Sequence, residues 1–217
     1  MASSNNIVIR VARPEEVELV RQVLRTIYYP EEAITVSYKY GKDPTPDDEK
    51  FSLSFVEPGY TVLAEDTVAK KFVGVSVGGP IYPGDPDLML KEAATTETRK
   101  WSDILKLLAQ LERTADVCGK YQLDRAYHVH ILAVDSSYRG RGLGKKILDF
   151  QINLAKEHGF GAISGDFTSV FSARIAEQLG MESISQLSLA DYRDDKGEHL
   201  FDPIEVNRLI KTCVKLL

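Results

Sequence analysis

The run Ile131-Leu132-Ala133-Val134-Asp135-Ser136-Ser137-Tyr138-Arg139-Gly140-Arg141-Gly142-Leu143-Gly144-Lys145-Lys146-Ile147-Leu148 joins an apolar stretch, a polar turn and a glycine-rich loop to the start of an amphipathic helix. Gly140, Gly142 and Gly144 allow backbone N–H groups to converge with no Cβ in the way of an anion. The helix that starts there adds partial positive charge, and Arg139, Arg141, Lys145 and Lys146 add full charges. The chain as a whole carries −5, so a basic cluster confined to one loop points to a single anionic ligand and away from nucleic acid. The implied chemistry is phosphate recognition. The spacing G-x-G-x-G is not the G-x-G-x-x-G dinucleotide fingerprint. Nor is it a Walker loop, because Arg139 and Lys146 stand where that loop needs glycine and Ser or Thr.

Three further groups of residues are suited to moving protons. Glu31 and Glu32 follow Tyr28-Tyr29-Pro30, which sets carboxylates beside an apolar wall; a solvated acidic turn is the competing reading. His128 and His130 alternate on a β-type run, so they are expected on one face together with Leu132 and Val134, just before the glycine loop. A pair of structural core histidines is the alternative. Thr168 and Ser172 stand four apart where a helix begins, a place that helix capping alone also explains.

The elements that must position these residues follow from periodicity. Ile7 to Val11 reads as a strand, and a helix opened by Pro14 runs to about Tyr29-Pro30. Val36 to Pro46 reads as a loop and Pro46 to Phe55 as a second helix. Tyr60 to Glu65 and Phe72 to Gly78 form an antiparallel pair about Ala69-Lys70, and Gly79 to Asp87 is irregular. A long helix spans Thr98 to Cys118, a central strand Arg125 to Val134, and the helix after the glycine loop Gly142 to His158. Ala162 to Asp166 is a strand, Ser169 to Leu179 a helix, Ile184 to Tyr192 a strand and Asp194 to Gly197 a turn. Val206, Leu209, Ile210, Cys213 and Val214 have helical spacing, but the preceding turn calls for a strand.

The pattern R-x-x-G-x-G, filled by Arg139, Gly142 and Gly144 after a strand ending Leu-Ala-Val, resembles the acetyl-CoA pyrophosphate loop of the GNAT acetyltransferase superfamily. The element order extends the resemblance over nearly the whole chain. It implies an α/β GNAT acetyltransferase fold, a mixed central twisted β-sheet flanked by helices, with residues 1–217 as one N-acetyltransferase domain, and it favours the strand at the C-terminal end. It also implies acetyl-CoA as co-substrate, held by Arg139, Gly140, Arg141, Gly142, Leu143, Gly144 and Lys145, by the backbone of Leu132, Ala133 and Val134, and by Ser172.

The run Tyr28-Tyr29-Pro30-Glu31-Glu32-Ala33-Ile34 is similar to the segment of insect arylalkylamine N-acetyltransferases that carries their proposed base, which puts Glu32 in that role, with Ala33 in place of the family's proline. Thr168-Ser169-Val170-Phe171-Ser172-Ala173-Arg174 resembles the segment of the same enzymes whose two serines are implicated in catalysis. His128-Val129-His130-Ile131-Leu132-Ala133-Val134 looks like the H-x-H-x-L-A-V of vertebrate serotonin N-acetyltransferase, where two histidines relay protons. The tyrosine acid of many GNAT enzymes is missing, because Ala176 stands in its place.

The expected reaction is therefore attack of a deprotonated arylalkylamine, such as dopamine, serotonin or tryptamine, on a thioester. A rival acceptor is agmatine, a polyamine or a protein N-terminus, for which Asp43, Asp47, Asp48 and Glu49 offer carboxylates; a non-catalytic CoA-binding protein is the other alternative. Tyr28, Tyr29, Tyr38, Tyr40 and Phe55 are candidates for an aromatic pocket or for core. Cys118 and Cys213 lack metal-ligand spacing, so no metal is expected. The start Met-Ala-Ser-Ser-Asn-Asn has no leader character and no run is long enough to span a bilayer, so a cytoplasmic monomer or weak dimer is expected, without nucleic-acid or membrane partners.

Overall fold

The computed structural model describes residues 6–217; Met1–Asn5, on which the expectation of no leader rests, lie outside the described residues. Among the described residues seven strands form one sheet: β1 (Ile7–Val11), β2 (Thr61–Asp66), β3 (Lys71–Ile81), β4 (Ala126–Val134), β5 (Ala162–Phe167), β6 (Glu182–Ser188) and β7 (Leu209–Leu216). Their order is β1-β2-β3-β4-β5-β7-β6. Neighbours are antiparallel except β4 and β5, which are parallel. The last strand is thus a strand despite its helical spacing, and it lies between β5 and β6 with Ile210 and Cys213 fully buried.

Two features of β4 build the site. Its pairing with β5 covers Tyr127↔Ile163, His128↔Ser164 and Val129↔Gly165 and goes no further, although β4 continues to Val134. From Val129 onward the two strands part. In the ladder with β3, Val77 pairs with Ile131 and Gly78 with Val129, so His130 is an extra residue in a β-bulge. The bulge changes the alternation expected from the sequence. His128 and His130 do share a side, with ring centroids 4.9 Å apart. Leu132 and Val134, expected beside them, instead pack with Leu143 and Ile147 on the opposite face, and Ile131 and Ala133 join the histidine side.

Helices cover both faces. α1 (Val17–Val23) follows a single 3-10 turn at Pro14–Glu16 and ends in a π-helical turn, Leu24–Tyr28. α2 (Ala33–Ser37) falls partly in the expected loop, and α3 (Pro46–Leu53) is opened by Thr45, whose hydroxyl accepts from Asp48 N. β3 runs on to Ile81, and α4 (Asp85–Thr95) starts with Pro86 in its first turn, so the Gly/Pro-rich segment expected to be irregular is part strand and part helix start. The long helix is α5 (Arg99–Ala115). It stops at Asp116, whose φ of +40° breaks the helix and whose side chain caps α6 (Val117–Tyr121). α7 (Leu143–Glu157) and α8 (Val170–Gln178) lie where expected, whereas β6 begins and ends earlier than expected, at Glu182 and Ser188.

On one face Leu148, Ile152, Ala173 and Ala176 pack on Tyr127, Val129 and Ile163. On the other, α1 and the π turn pack on Leu63, Val75, Val77 and Ile131, and α5 packs its Ile104, Leu107 and Leu111 against Leu189 and Ile210. Opposite the bulge, β3 carries Gly78 and Gly79. A Cβ on Gly79 would stand 2.3 Å from the ring of Phe55, which in turn lies 4.8 Å from His130, centroid to centroid. Gly79→Ala should therefore lower the unfolding free energy by about 1–3 kcal/mol, measured from denaturant midpoints.

Candidate active site

The parted strands open a cavity lined by Tyr28, Glu32, Ile34, Thr35, Asp48, Phe51, Ser52, Trp101, Ile104, Leu108, His128 to Leu132, Asp166 to Thr168 and Ser172. Glu32, His128, His130, Thr168 and Ser172, far apart in the chain, meet here. Phe51, Trp101 and Phe167 supply aromatic walls that the sequence reading did not assign to the site. Among the aromatics proposed for a pocket, Tyr28 lines the cavity and Phe55 packs behind it on His130. Tyr29 donates a hydrogen bond to Asp48 Oδ1 at 3.2 Å, and Tyr38 donates to Asp103 Oδ2 at 2.6 Å deep in the core. Tyr40 is half exposed beside Arg99.

Glu32 is buried and is the N-cap of α2: Oε1 accepts from Ile34 N at 2.9 Å and Oε2 from Thr35 N at 2.6 Å. Both oxygens are held in fixed directions, leaving lone pairs for the cavity. Burial pushes this carboxyl above its ordinary range, while the two backbone N–H groups pull it back. Glu31, by contrast, is exposed and pairs with Arg139 at 2.6 Å, so the two adjacent glutamates separate into a buried one and a solvated one.

His128 Nδ1 hydrogen-bonds Ser164 Oγ at 2.9 Å, and its Nε2 lies 3.6 Å from Asp166 Oδ2. His130 stacks against Phe51 and Phe55, and its Nε2 is buried with no hydrogen-bond partner. Burial lowers the pKa of both rings, His130 well below the usual value, helped by the charge of its neighbour; Asp166 opposes the shift at His128. Both rings are consequently neutral near pH 7, and each has a nitrogen lone pair able to accept a proton.

Ser172 forms a capping box with Ser169: Ser172 N donates to Ser169 Oγ at 3.1 Å and Ser169 N to Ser172 Oγ at 3.3 Å. The N-cap is Ser169, and its capping-box partner Ser172 is the side chain that lines the cavity. Thr168, four residues before Ser172, also lines the cavity. Ala176 is fully buried, packed with Ala173 in the core under α8.

Two cavity carboxylates were not singled out as reacting groups from the sequence. Asp48 was read in the first turn of the second helix, as one of the acids that could serve a cationic acceptor; it lies on α3 as expected, with Ser52 one turn on. Its pKa is pushed up to about 7, first by burial and then by the charge of Glu32. Asp166, next after β5's last partner to β4, accepts from Thr212 Oγ1 at 2.6 Å. Strand alternation from Ser164, the partner of His128, was the signal that placed it on the histidine side.

The glycine loop fits an anionic group. Gly140 and Gly142 have φ of +73° and +75°, and a Cβ on either would meet nothing within 4 Å; Gly142 is the N-cap of α7. The loop thus takes a left-handed backbone into a helix start, with open space where side chains would stand, as an anion-binding turn requires. Lys145 and Lys146 are exposed. The arginines are committed to protein partners: Arg139 Nε donates to Val134 O at 2.9 Å, and Arg141 donates to Ser137 O at 2.9 Å and lies over the Tyr138 ring. Leu132, Ala133 and Val134 have no partner in β5, and Leu132 lines the cavity.

Residues 27–180 match the model of the acetyltransferase (GNAT) family. The fold is similar to that of a mosquito arylalkylamine N-acetyltransferase-like protein, 5b, at 69% identity and a TM-score of 0.95, over 97% of this chain and 100% of that one. It is also similar to a polyamine N-acetyltransferase of Drosophila melanogaster that forms N-acetylagmatine, at 33% identity and a TM-score of 0.90, over 97% and 100% of the two chains. Arylalkylamine N-acetyltransferase 2 of Aedes aegypti is 25% identical, with a TM-score of 0.88 over 98% and 99%.

A carboxyl raised to about 7 in the fold binds more protons than its unfolded counterpart near 3.9, so it removes stability as pH climbs through that window. Asp48→Asn should therefore be more stable than the parent at pH 8 by about 1–3 kcal/mol. The difference should shrink toward zero at pH 4, as followed by urea unfolding at each pH.

Proposed function

The chain belongs to the acetyltransferase (GNAT) family, and we propose that this acyltransferase moves an acetyl group from acetyl-CoA to the primary amine of an arylalkylamine such as dopamine, serotonin or tryptamine. One observation carries the reading. A single cavity with aromatic walls gathers Glu32, two neutral histidines and two hydroxyls at the point where β4 leaves β5, with the anion-binding loop following directly on β4.

Acetyl-CoA supplies the thioester. In this reading its diphosphate lies on the N–H groups of Gly140 to Gly144 with Lys145 nearby, and its extended arm lies along the unpartnered side of Leu132 to Val134. The amine arrives as an ammonium, since its pKa resembles that of lysine at about 10.4. Glu32 takes one proton, directly or through water and the two histidines, and passes it to bulk solvent. The neutral nitrogen then attacks the thioester carbonyl carbon, and a β4 backbone N–H steadies the oxyanion. As the carbonyl re-forms, the C–S bond breaks. The second amine proton ends on the departing thiolate, with the Ser172 or Thr168 hydroxyl as relay in the absence of a tyrosine at position 176. Cys118 and Cys213 are both free and buried, which suits the reducing, cytoplasmic setting we assign.

Asp48 and Asp166 give a second reading its support. Three carboxylates around one cavity suit an acceptor with a second positive charge, as in agmatine or spermidine, and the similar Drosophila enzyme forms N-acetylagmatine. Thiol release from acetyl-CoA with dopamine, tryptamine, serotonin, histamine, agmatine and spermidine decides between them. Highest kcat/KM on the aromatic amines upholds the first reading, activity confined to agmatine or spermidine replaces it with the second, and no release with any amine overturns both.

Glu32→Gln keeps one capping oxygen for α2 and should lower kcat at pH 7 by about 10²- to 10⁴-fold, with acetyl-CoA affinity unchanged in calorimetry. Because the Glu32 pKa is raised, kcat/KM of the parent should fall with decreasing pH from a point above the ordinary glutamate range. Gly142→Glu places a carboxylate in the loop at a positive φ and should abolish acetyl-CoA binding in the same calorimetric assay.

A further inference from the structure

Lys100 is buried, at 7% exposure, and is the second residue of α5. Both facts work against an ammonium there. A helix N-terminus is the positive end of the dipole, the first turn of α5 holds no acidic residue, and removal of a lysine charge from water is costly without partners. The partners it has are carbonyls: Nζ donates to Thr35 O at 3.3 Å, Gly41 O at 2.8 Å and Asp43 O at 2.9 Å. Three N–H donors meet three acceptors, and the acceptors lie on the segment from α2 to the start of α3. Thr35 belongs both to this clamp and to the cap that holds Glu32.

With its donors spent on neutral carbonyls, the ammonium forms no ion pair among the described residues, and its full charge acts on the carboxylates around it. Those are Glu32 and Asp48 in the cavity wall and Asp43 in the clamped loop. The other ionisable groups facing this pair are Tyr28 beside Glu32, Tyr29 and Glu49 near Asp48, and, across the cavity, His128, His130 and Asp166. The Tyr38 ring lies 5.5 Å from the Lys100 nitrogen. Around the cavity the histidines are neutral and Lys100 is the buried cation.

We infer that Lys100 is a positioning residue of the amine site, which pins the α2–α3 wall through three carbonyls, one of them on the residue whose N–H caps Glu32, and sets a positive charge behind Glu32 and Asp48 that favours their ionised forms. The consequence for turnover rests on the reading of Glu32 as the base; the charge coupling does not. Burial lowers the pKa of Lys100 while Asp48 and Glu32 push it back up, as a mutual coupling requires.

The test uses Lys100→Gln, which keeps a hydrogen-bonding head and removes the charge, Lys100→Arg, which keeps the charge, and Asp48→Asn. Carboxyl ¹³C titrations of the full chain should show the Glu32 and Asp48 midpoints raised in Lys100→Gln and near the parent values in Lys100→Arg. A shift of about one unit corresponds to about a tenfold change in the ionisation equilibrium. The acid limb of kcat/KM should move up by the same amount, so that activity is lost at pH 6 and largely recovered at pH 9, with acetyl-CoA affinity unchanged. Reciprocity requires the Lys100 ¹⁵Nζ midpoint to fall in Asp48→Asn, a measurement that holds even if Lys100→Gln does not fold. Unmoved carboxyl midpoints in Lys100→Gln, or an unmoved Lys100 midpoint in Asp48→Asn, overturn the inference. Midpoints that move while the acid limb stays in place uphold it and overturn Glu32 as the base.

Discussion

The site depends on the parting of two parallel strands. Up to Val129 and Gly165 each backbone group of β4 that faces β5 has a ladder partner; from His130 onward it has none. Unpaired backbone donors and acceptors in a protein interior are expensive, and the surrounding elements answer that cost. Arg139 Nε donates to Val134 O. The remaining edge borders the cleft, where an extended ligand can serve as the missing strand. The bulge at His130 belongs to the same arrangement: both imidazoles keep the side given by alternation, and the residues after them are switched, so that Leu132 and Val134 anchor the strand on α7.

Charge inside the cavity follows from the same economy of partners. Glu32 is buried, but two backbone N–H groups receive it; Asp48 has two hydroxyls and is left close to half-titrated at neutral pH. The histidines, stacked among aromatic rings, lose their charge to burial. A pocket so arranged is hospitable to a cation on arrival and holds neutral acceptors for the proton that must leave.

The glycine loop and its basic flank were legible because their requirements are local: positive φ at Gly140 and Gly142 and a helix start are written in consecutive residues. Glu32 was legible only through resemblance, since nothing local separates it from Glu31; burial does so, and burial depends on α3 and α5. The common face of the histidines came from strand alternation and held, whereas Leu132 and Val134 did not follow, because a bulge is decided by the partner strand and by Gly78 and Gly79 opposite it. The burial of Lys100 was obscured for a similar reason: it sits in a charged stretch, and only the packing of α5 against the α2–α3 segment turns it inward. The helix α4 was hidden by Pro83, Gly84 and Pro86, which signal a turn even where a proline in fact opens a helix.

The position of β7 in the sheet has a bearing on how the molecule is made. β7 forms after every other strand has been synthesised, yet it occupies an interior place between β5 and β6. The segment before it reaches back to the wall behind the base, where Lys39 N donates to Leu200 O and Asp202 N to Ser37 O, and Phe201 is buried against Tyr38. A nascent chain that has released the glycine loop therefore still lacks three strands of the sheet, β7 among them, and the backing of the amine pocket. Such non-local pairings form slowly, and until they do β5 presents an open edge to other chains. The backing of the amine pocket is therefore complete only once β7 and the segment before it have joined the rest of the chain.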